Sequence, residues 1–254
     1  LSFYRNNLAS SWGRSAEFRG WEWQGFNFGE KYAVLWRSPS TIKNYNSIYY
    51  KAINRFRNMI FLPLYEIDNE SISKVINELR KHKPRIMKAC PSAAYALAQY
   101  VNDNGIEDLS FKMIYTSSEK LFPLQREFIS KIFNCEVFEW YGSSEMRGMA
   151  FECKNRNMHT TPENFVYEFL RGGAPVENSE LGELIITDLN NYDMPFIRYQ
   201  IGDWGIPSDR ECGCGRGLPI LDEMVGRTRD FIKSNQGELL SQTFFVDLFS
   251  SERI

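Results

Sequence analysis

The sequence predicts an α/β protein in which a doubly wound, mostly parallel sheet is followed by a smaller, mostly β subdomain. Helix and strand patterns alternate from residue 71 to residue 140, and after residue 148 no long helix pattern separates the strand patterns. The length of 254 residues fits one large domain or one and a half. We therefore predict an α/β part over residues 1–148 and a β-rich subdomain over residues 149–254.

The first regular helix pattern runs from Ser71 to His82, and its apolar residues fall on one face: Ile72, Val75, Ile76 and Leu79. A short strand is predicted over Arg85–Ala89. The turn Cys90-Pro91-Ser92 follows, and Pro91 suits the first position of a helix. That helix is expected to end at Gly105, with Ala94, Leu97, Ala98 and Val101 at helical spacing.

A second strand–helix–strand series follows directly. Phe111–Tyr115 is predicted as a buried strand, Pro123 opens a helix, and Glu136–Trp140 is the next strand. We expect this helix to turn Leu124, Phe128 and Ile132 inward. Such a series favours parallel strands, and ligands of parallel sheets lie at the carboxyl ends of the strands.

The two ends of the sequence differ in character. The first 36 residues contain four of the six tryptophans, which predicts a packing segment: Trp12, Trp21, Trp23 and Trp36. A platform for stacking nucleic-acid bases would require basic residues between these rings. In the β-rich part, Phe165–Leu170 and Leu184–Leu189 are predicted strands.

Composition excludes several classes of function. The 30 Lys and Arg against 32 Asp and Glu give a net charge of −2, so we expect no nucleic-acid partner. The longest apolar run, near Met59–Leu64, is too short for membrane insertion, and no signal-peptide pattern opens the sequence. Five cysteines favour reduced thiols and a cytoplasmic location. Two histidines weigh against Ser/His or Cys/His catalysis.

Two loops after predicted strands have the composition of ligand-binding loops. Thr116-Ser117-Ser118-Glu119 follows one strand, and Tyr141-Gly142-Ser143-Ser144-Glu145 follows the next. Small residues let the backbone approach a ligand, the Tyr141 ring offers a flat face for a base, and Glu145 is a carboxylate of the kind that Mg²⁺ prefers. Plain turns have the same composition, so each loop alone leaves both interpretations open.

Three further segments make the pattern specific. They are Gly182–Asp188, Pro195–Asp203 and Gly226–Lys233, and the tyrosine loop lies upstream of them. This combination resembles the adenylate-forming superfamily, and within it the phenylacetate–CoA ligase-like branch, which includes proteins encoded with capsular-polysaccharide genes. The resemblance covers most of the chain and implies the core of the N-terminal domain of an acyl-CoA synthetase-like enzyme.

The resemblance implies a role for each matching residue. Ser117, Ser118 and Glu119 match the loop that lines the adenine pocket, while Gly142 and Ser143 match positions along the nucleotide. Tyr141 matches the aromatic residue that stacks on adenine, Asp203 the aspartate that holds the ribose hydroxyls, and Arg227 a catalytic arginine near ribose and phosphate. Glu145 matches the catalytic, magnesium-binding glutamate. Lys233 fits a phosphate contact or a solvated turn equally well. Arg229 stands at the hinge position, where relatives carry Asp or Lys.

Enzymes of this superfamily join a small carboxylic acid to ATP as an acyl-adenylate, and a thiol, usually coenzyme A, then displaces AMP. The phosphate loop and the small C-terminal domain of the superfamily have no match in this sequence. We therefore expect a truncated chain that binds nucleotide poorly and does not complete the reaction. Transfer to an amine, hydroxyl or carrier protein in polysaccharide assembly, and a catalytically silent relative, are the alternatives. Relatives often form homodimers, so a homodimer is a candidate assembly.

Four residues of the β-rich part form a candidate zinc site: Cys153, His159, Cys212 and Cys214. Three thiolates and one imidazole are a ligand set that structural zinc favours. The Cys-Gly-Cys spacing is narrower than usual, so unrelated thiols are the alternative. We expect the other two cysteines, Cys90 and Cys135, to be small buried hydrophobic residues, and His82 to complement a helix C-terminus.

Overall fold

The computed structural model describes residues 3–37, 47–64, 66–227, 232–233 and 239–240. The chain forms two compact units, one of residues Trp21–Trp140 and one that joins Leu1–Gly20 to Tyr141–Ile254. These units divide the chain at residue 140, and they place the first 20 residues with the C-terminal part rather than with the α/β part.

The Trp21–Trp140 unit contains a parallel sheet. Its strands are β1 (Tyr32–Trp36), β2 (Met59–Pro63), β3 (Ile86–Ala89), β4 (Met113–Thr116) and β5 (Glu136–Tyr141). They are arranged in the order β2-β1-β3-β4-β5, and every neighbouring pair is parallel. This order is one of the common doubly wound arrangements, so the predicted fold class is confirmed.

Helices connect these strands. They are α2 (Ile48–Phe56), α3 (Asn69–His82), α4 (Pro91–Asp103) and α5 (Pro123–Phe133). Asp68 caps α3 by accepting a hydrogen bond from the Ser71 backbone N–H at 2.8 Å, and Pro91 opens α4 without costing a hydrogen bond. The predicted inward face of α3 and that of α4 are buried in a core with strand residues such as Leu35 and Ile114. Burial of this apolar surface is what holds the helices on the sheet.

The predicted inward face of α5 is wrong at Leu124. Leu124 is 61% exposed, whereas Ile129 and Phe133 are buried, and Phe128 and Ile132 are only partly buried. The buried stripe is shifted by one residue from the predicted one, which leaves the first turn of the helix outside it. Among the described residues before residue 64, the sequence patterns also missed four elements: the helix α1 (Asn7–Glu22), β1, α2 and β2.

The second unit is built around antiparallel strands. They are β6 (Ala150–Glu152), β7 (Met158–Thr160), β8 (Phe165–Arg171), β9 (Ala174–Pro175), β10 (Gly182–Asp188), β11 (Tyr199–Pro207) and β12 (Ile220–Arg227), with β13 (Ile232–Lys233) and β14 (Leu239–Leu240) as a separate pair. The seven strands follow the order β6-β7-β12-β11-β10-β8-β9. Their core includes Met149, Leu184 and Ile186. Within the described ranges, no helix is long and apolar enough to cross a membrane.

Candidate active site and metal centre

Three residues of the predicted nucleotide site lie together in the second unit. Tyr141 ends β5, Asp203 lies on β11, and Arg227 ends β12 directly opposite Asp203. The Tyr141 hydroxyl donates a hydrogen bond to Asp203 Oδ2 at 2.6 Å, and Arg227 Nε lies 3.4 Å from Asp203 Oδ1. Tyr141 and Asp203 are 62 positions apart in the sequence, and the pairing of β11 with β12 brings Arg227 beside Asp203. We refer to the three residues as the Tyr141–Asp203–Arg227 cluster.

Burial and the charge of Asp203 keep the Tyr141 hydroxyl protonated. Burial raises the pKa of Tyr141 well above its ordinary value, and the neighbouring Asp203 carboxylate raises it further. The phenol therefore stays neutral at physiological pH and acts as a hydrogen-bond donor. Asp203 is 7% exposed, and a carboxylate this buried needs donors around both of its oxygens. The Tyr141 hydroxyl donates to Oδ2, and the Arg227 guanidinium lies beside Oδ1.

The loop that follows Tyr141 is closed by its own hydrogen bonds. The Ser143 N–H donates to the Met146 carbonyl at 2.8 Å, and the Met146 N–H donates to Ser143 Oγ at 3.0 Å. Glu145 accepts a hydrogen bond from the Tyr199 phenol, whose pKa is raised by burial and then by this carboxylate. Glu145 is half-buried and carries the hard oxygen ligands that Mg²⁺ prefers.

The loop Ser117–Glu119 belongs to the parallel-sheet unit. Ser117 is buried, whereas Ser118 is exposed and has a left-handed φ of 79°. Both oxygens of Glu119 are bound by Ser92 at the start of α4, through its N–H at 3.0 Å and its hydroxyl at 2.9 Å. Arg37 also donates to the Ser92 hydroxyl at 3.0 Å. Glu119 thus fastens this loop to a helix N-terminus, a positioning contact that the sequence pattern did not reveal.

Two predicted positions cannot be placed in full. Arg229 and the side chain of Lys233 lie outside the described residues, although the backbone of Lys233 is part of β13. The roles that the resemblance implies for these two residues stay predictions.

The four residues of the candidate zinc site converge. The ligand atoms of Cys153, His159, Cys212 and Cys214 all lie within 4.8 Å of one another. Cys153 Sγ and Cys212 Sγ are 3.7 Å apart, and Cys214 Sγ is 3.2 Å from His159 Nε2. Tetrahedral zinc with bonds of about 2.3 Å to sulfur holds two sulfurs about 3.8 Å apart. The spacing of the two thiols fits such an ion, and it is too long for a disulfide.

Surrounding groups orient these ligands. His159 Nδ1 is 3.1 Å from the Leu218 carbonyl, a contact in which Nδ1 carries the proton and Nε2 presents its lone pair toward the thiols. The Asn157 side chain donates to Cys212 Sγ at 3.2 Å. Burial raises the pKa of Cys153 to about 11, so a metal ion would have to displace its proton. The sequence pattern singled out the four candidate ligands but not the groups that surround them.

The fold is that of known adenylate-forming enzymes. One solved structure, a 2-hydroxyisobutyryl-CoA ligase in complex with R3-HIB-AMP, superimposes with a TM-score of 0.74 at 19% identity, over 92% of this chain and 51% of the ligase. An O-succinylbenzoate coenzyme A synthetase from Bacillus subtilis in complex with AMP gives a TM-score of 0.63 at 14% identity, over 97% of this chain and 50% of the synthetase. The architecture therefore matches the N-terminal domain of these enzymes.

The chain also has relatives in sequence. Protein CapK of Staphylococcus aureus is 28% identical over 217 residues, which are 82% of this chain and 45% of CapK. The phenylacetate-coenzyme A ligase of Thermus thermophilus is 26% identical over 61% of this chain and 36% of the ligase. No family model matches the sequence. The chain is a homologue of CapK and of the phenylacetate–CoA ligases, and it spans less than half the length of either.

Proposed function

We propose that the chain is part of an ATP-dependent acid–CoA ligase that activates a small carboxylic acid as an acyl-adenylate. The observation that carries this proposal is the Tyr141–Asp203–Arg227 cluster, because it joins an aromatic ring, a buried carboxylate and a guanidinium in one place. Solved structures of the same fold contain acyl-adenylates, AMP or coenzyme A, which supports these ligands for the present chain.

Each residue of the cluster has a chemical task in this proposal. The Tyr141 ring stacks on adenine, the Asp203 carboxylate accepts hydrogen bonds from the ribose hydroxyls, and Arg227 pairs with the phosphate. Gly142 and Ser143 line the nucleotide. Each carboxylate oxygen has two lone pairs, so Asp203 can accept hydrogen bonds from the ribose hydroxyls while it keeps its contacts with Tyr141 and Arg227.

A second group of residues acts on the base and the phosphates. The buried Ser117 and the exposed Ser118 border the adenine, and Glu119 holds their loop in place through Ser92. Glu145 is the carboxylate that would hold Mg²⁺, and the ion would neutralise phosphate charge. Lys233 is a further candidate for a phosphate contact. Catalysis of this kind consists of positioning and charge neutralisation, which explains why two histidines suffice.

The reaction has two steps. The carboxylate of the acid attacks the α-phosphorus of ATP, and pyrophosphate leaves. The thiol of coenzyme A then attacks the acyl carbon, and AMP leaves with the bonding electrons of the mixed anhydride. An amine, a hydroxyl or a carrier protein as the acceptor is the alternative, and a test for dependence on coenzyme A separates the two.

Calorimetric titration of the 254-residue chain with AMP tests the nucleotide site. We expect weak but measurable binding by the unaltered chain and a loss of about 5- to 150-fold in Tyr141→Ala, since stacking on a base contributes about 1–3 kcal/mol. Tyr192→Ala is the matched control, because Tyr192 is an exposed tyrosine of the same unit. Equal AMP affinity in all three proteins would reject the proposed site.

We further propose that Cys153, His159, Cys212 and Cys214 hold a structural zinc ion. Four protein ligands leave no open position for a substrate, so the ion would fasten the β6–β7 hairpin to the segment between β11 and β12. Metal analysis of the purified chain should give one zinc per chain, and Cys212→Ser should lose it together with thermal stability. Cys135→Ser should keep the zinc. A stoichiometry near zero in the unaltered chain would contradict this assignment.

A further inference from the structure

Helix α2 turns a polar side toward the sheet and leaves its apolar residues in solvent. Lys51, Asn54 and Arg55, which recur at helical spacing, line a cavity together with residues of β2. The apolar residues of the helix are between 70% and 91% exposed: Ile48, Tyr49 and Phe56. The helix buries none of its nine residues. Burial of an apolar stripe, which normally holds a helix on a sheet, is therefore missing here.

The cavity between α2 and β2 has the size of a small-molecule site. Its volume is about 580 Å³, within the range of about 300–1,000 Å³ that is typical of ligand pockets. One wall is mostly apolar and consists of residues of β2: Met59, Ile60, Phe61 and Pro63. β2 is the last strand of the parallel order, so the cavity lies along an edge of the sheet.

The rest of the lining is basic. Lys31, the residue before β1, joins Lys51 and Arg55, and no Asp or Glu lines the cavity. In the described part of the chain, none of these three cations forms an ion pair. The excess of cations is local, because the whole chain has a net charge of −2. An anion in the cavity would relieve the repulsion among the three charges.

Hydrogen bonds hold one end of the cavity in place. Asn58, in the turn between α2 and β2, has a left-handed φ of 52°, and its side-chain amide donates to the Gly29 carbonyl at 2.8 Å. The Asn58 carbonyl accepts a hydrogen bond from the Tyr32 N–H at 3.0 Å and lies 3.1 Å from His82 Nε2. Burial, and after it the charge of Lys31, lowers the pKa of His82 against the effect of the Asn58 contact. The ring is therefore neutral at pH 7, in a preformed wall.

The cavity lies apart from the loop proposed to border adenine. Ser117–Glu119 follows β4, and the strands β1 and β3 lie between β4 and β2. Neighbouring strands are about 4.8 Å apart, so three steps separate β2 from β4 by about 14 Å. Lys31 and His82 also lie at the amino ends of strands, whereas the loop follows a carboxyl end. The cavity is therefore separate from this loop.

We propose that this cavity binds a small molecule that carries a phosphate group on an apolar body. The phosphate pairs with Lys31, Lys51 and Arg55, and the apolar body lies against β2. A phosphate monoester carries about 1.5 to 2 negative charges at pH 7, which suits a group of three cations. The guanidinium fork of Arg55 can bond two phosphate oxygens at once. This inference goes beyond the acid-activating function and does not depend on it.

The probe is 1-naphthyl phosphate, and two compounds each lack one of its parts. 1-Naphthol has the rings without the phosphate, and inorganic phosphate has no rings. The chain contains two histidines, so nuclear magnetic resonance of labelled histidine rings locates the binding. His82 lines the cavity, and His159 belongs to the other unit. We expect 1-naphthyl phosphate to shift the His82 signals saturably, to leave those of His159 in place, and to bind at least tenfold more tightly than either comparison compound.

Variants at exposed positions of α2 identify the cations. Lys51→Met and Arg55→Met should each weaken binding of 1-naphthyl phosphate at least fivefold, and Arg55→Lys, which keeps the charge, should lose less than Arg55→Met. Lys131→Met, at an exposed lysine of α5, should bind as the unaltered chain does. Circular dichroism checks that each variant is folded.

Four results would overturn the proposal. The first is that 1-naphthyl phosphate does not shift the His82 signals of the unaltered chain. The second is that 1-naphthol binds as tightly as 1-naphthyl phosphate, because the cations then contribute nothing. The third is an equal loss in Lys131→Met and Arg55→Met, which would reflect the total charge of the chain alone. The fourth is unchanged affinity in both Lys51→Met and Arg55→Met.

Discussion

Removal of the Tyr141 hydroxyl is expected to destabilise the chain more than removal of a comparable tyrosine hydroxyl. Tyr141→Phe deletes the 2.6 Å hydrogen bond to Asp203, a carboxylate that is 7% exposed. Hydrogen bonds to charged groups contribute about 1.5–3 kcal/mol. The phenyl ring still fills the same space, so almost all of the loss is assigned to the hydroxyl. We expect the free energy of unfolding in urea to fall by about 2 kcal/mol.

A matched control and a double-mutant cycle isolate this contact. The Tyr167 hydroxyl contacts only neutral partners: it donates to the Met149 carbonyl at 2.5 Å and lies 3.3 Å from the Thr161 N and 3.2 Å from the Thr161 hydroxyl. Because the Thr161 N–H also bonds the Met149 carbonyl, Tyr167→Phe should cost about 1 kcal/mol. When Asp203→Asn has already removed the charge, Tyr141→Phe should cost about 1 kcal/mol less than it does in the unaltered chain. If Tyr141→Phe costs the same with and without the Asp203→Asn substitution, the coupling energy is near zero and the assigned hydrogen bond is refuted.

Three further changes have defined outcomes. Gly20→Ala should lower the melting temperature by a few degrees, because the added Cβ would overlap the Phe151 ring. The overlap should cost about 1–3 kcal/mol, which exceeds the gain of about 1 kcal/mol in helix propensity. The control Ser11→Ala, on the exposed side of α1, should not lower the melting temperature. Unchanged melting in Gly20→Ala would show that Phe151 moves freely. At pH 8, Cys90 and Cys135 should react with a disulfide reagent only after unfolding, because burial raises the pKa of both thiols, that of Cys135 to about 12. Cys90 is buried and Cys135 is partly buried. Both stay protonated in the folded chain up to a higher pH than in the unfolded chain, so rapid labelling of either in the folded chain at pH 8 would contradict the raised pKa values. Glu119→Ala should cost about 1 kcal/mol of stability and weaken AMP binding, because the Ser117–Glu119 loop loses both bonds to Ser92. AMP affinity equal to that of the unaltered chain would separate this loop from the nucleotide.

Regular periodicity made the middle of the fold predictable. The apolar residues of α3 recur at helical spacing, and short buried runs mark β3 and β4, so the doubly wound class followed from local patterns. The segment before residue 64 gave no such signal. The helix α1 mixes apolar and polar residues without a clean stripe, and Trp21 is buried while Trp12 of the same helix is 45% exposed.

The candidate site was predictable in its residues but not in its contacts. Tyr141, Asp203 and Arg227 could be singled out from the motifs around them. The hydrogen bond between Tyr141 and Asp203 depends on how distant strands pair, which local patterns do not encode. The convergence of Cys153, His159, Cys212 and Cys214 could be anticipated because cysteine and histidine are scarce in this sequence.

The most direct test of the account is a nuclear Overhauser measurement on the chain bound to AMP, with its tyrosine rings isotopically labelled. The account predicts cross-peaks between the adenine protons and the ring protons of Tyr141, and their disappearance in Tyr141→Ala. Bound AMP whose adenine protons contact other residues, with none to the Tyr141 ring, would contradict the claim that this cluster holds the nucleotide.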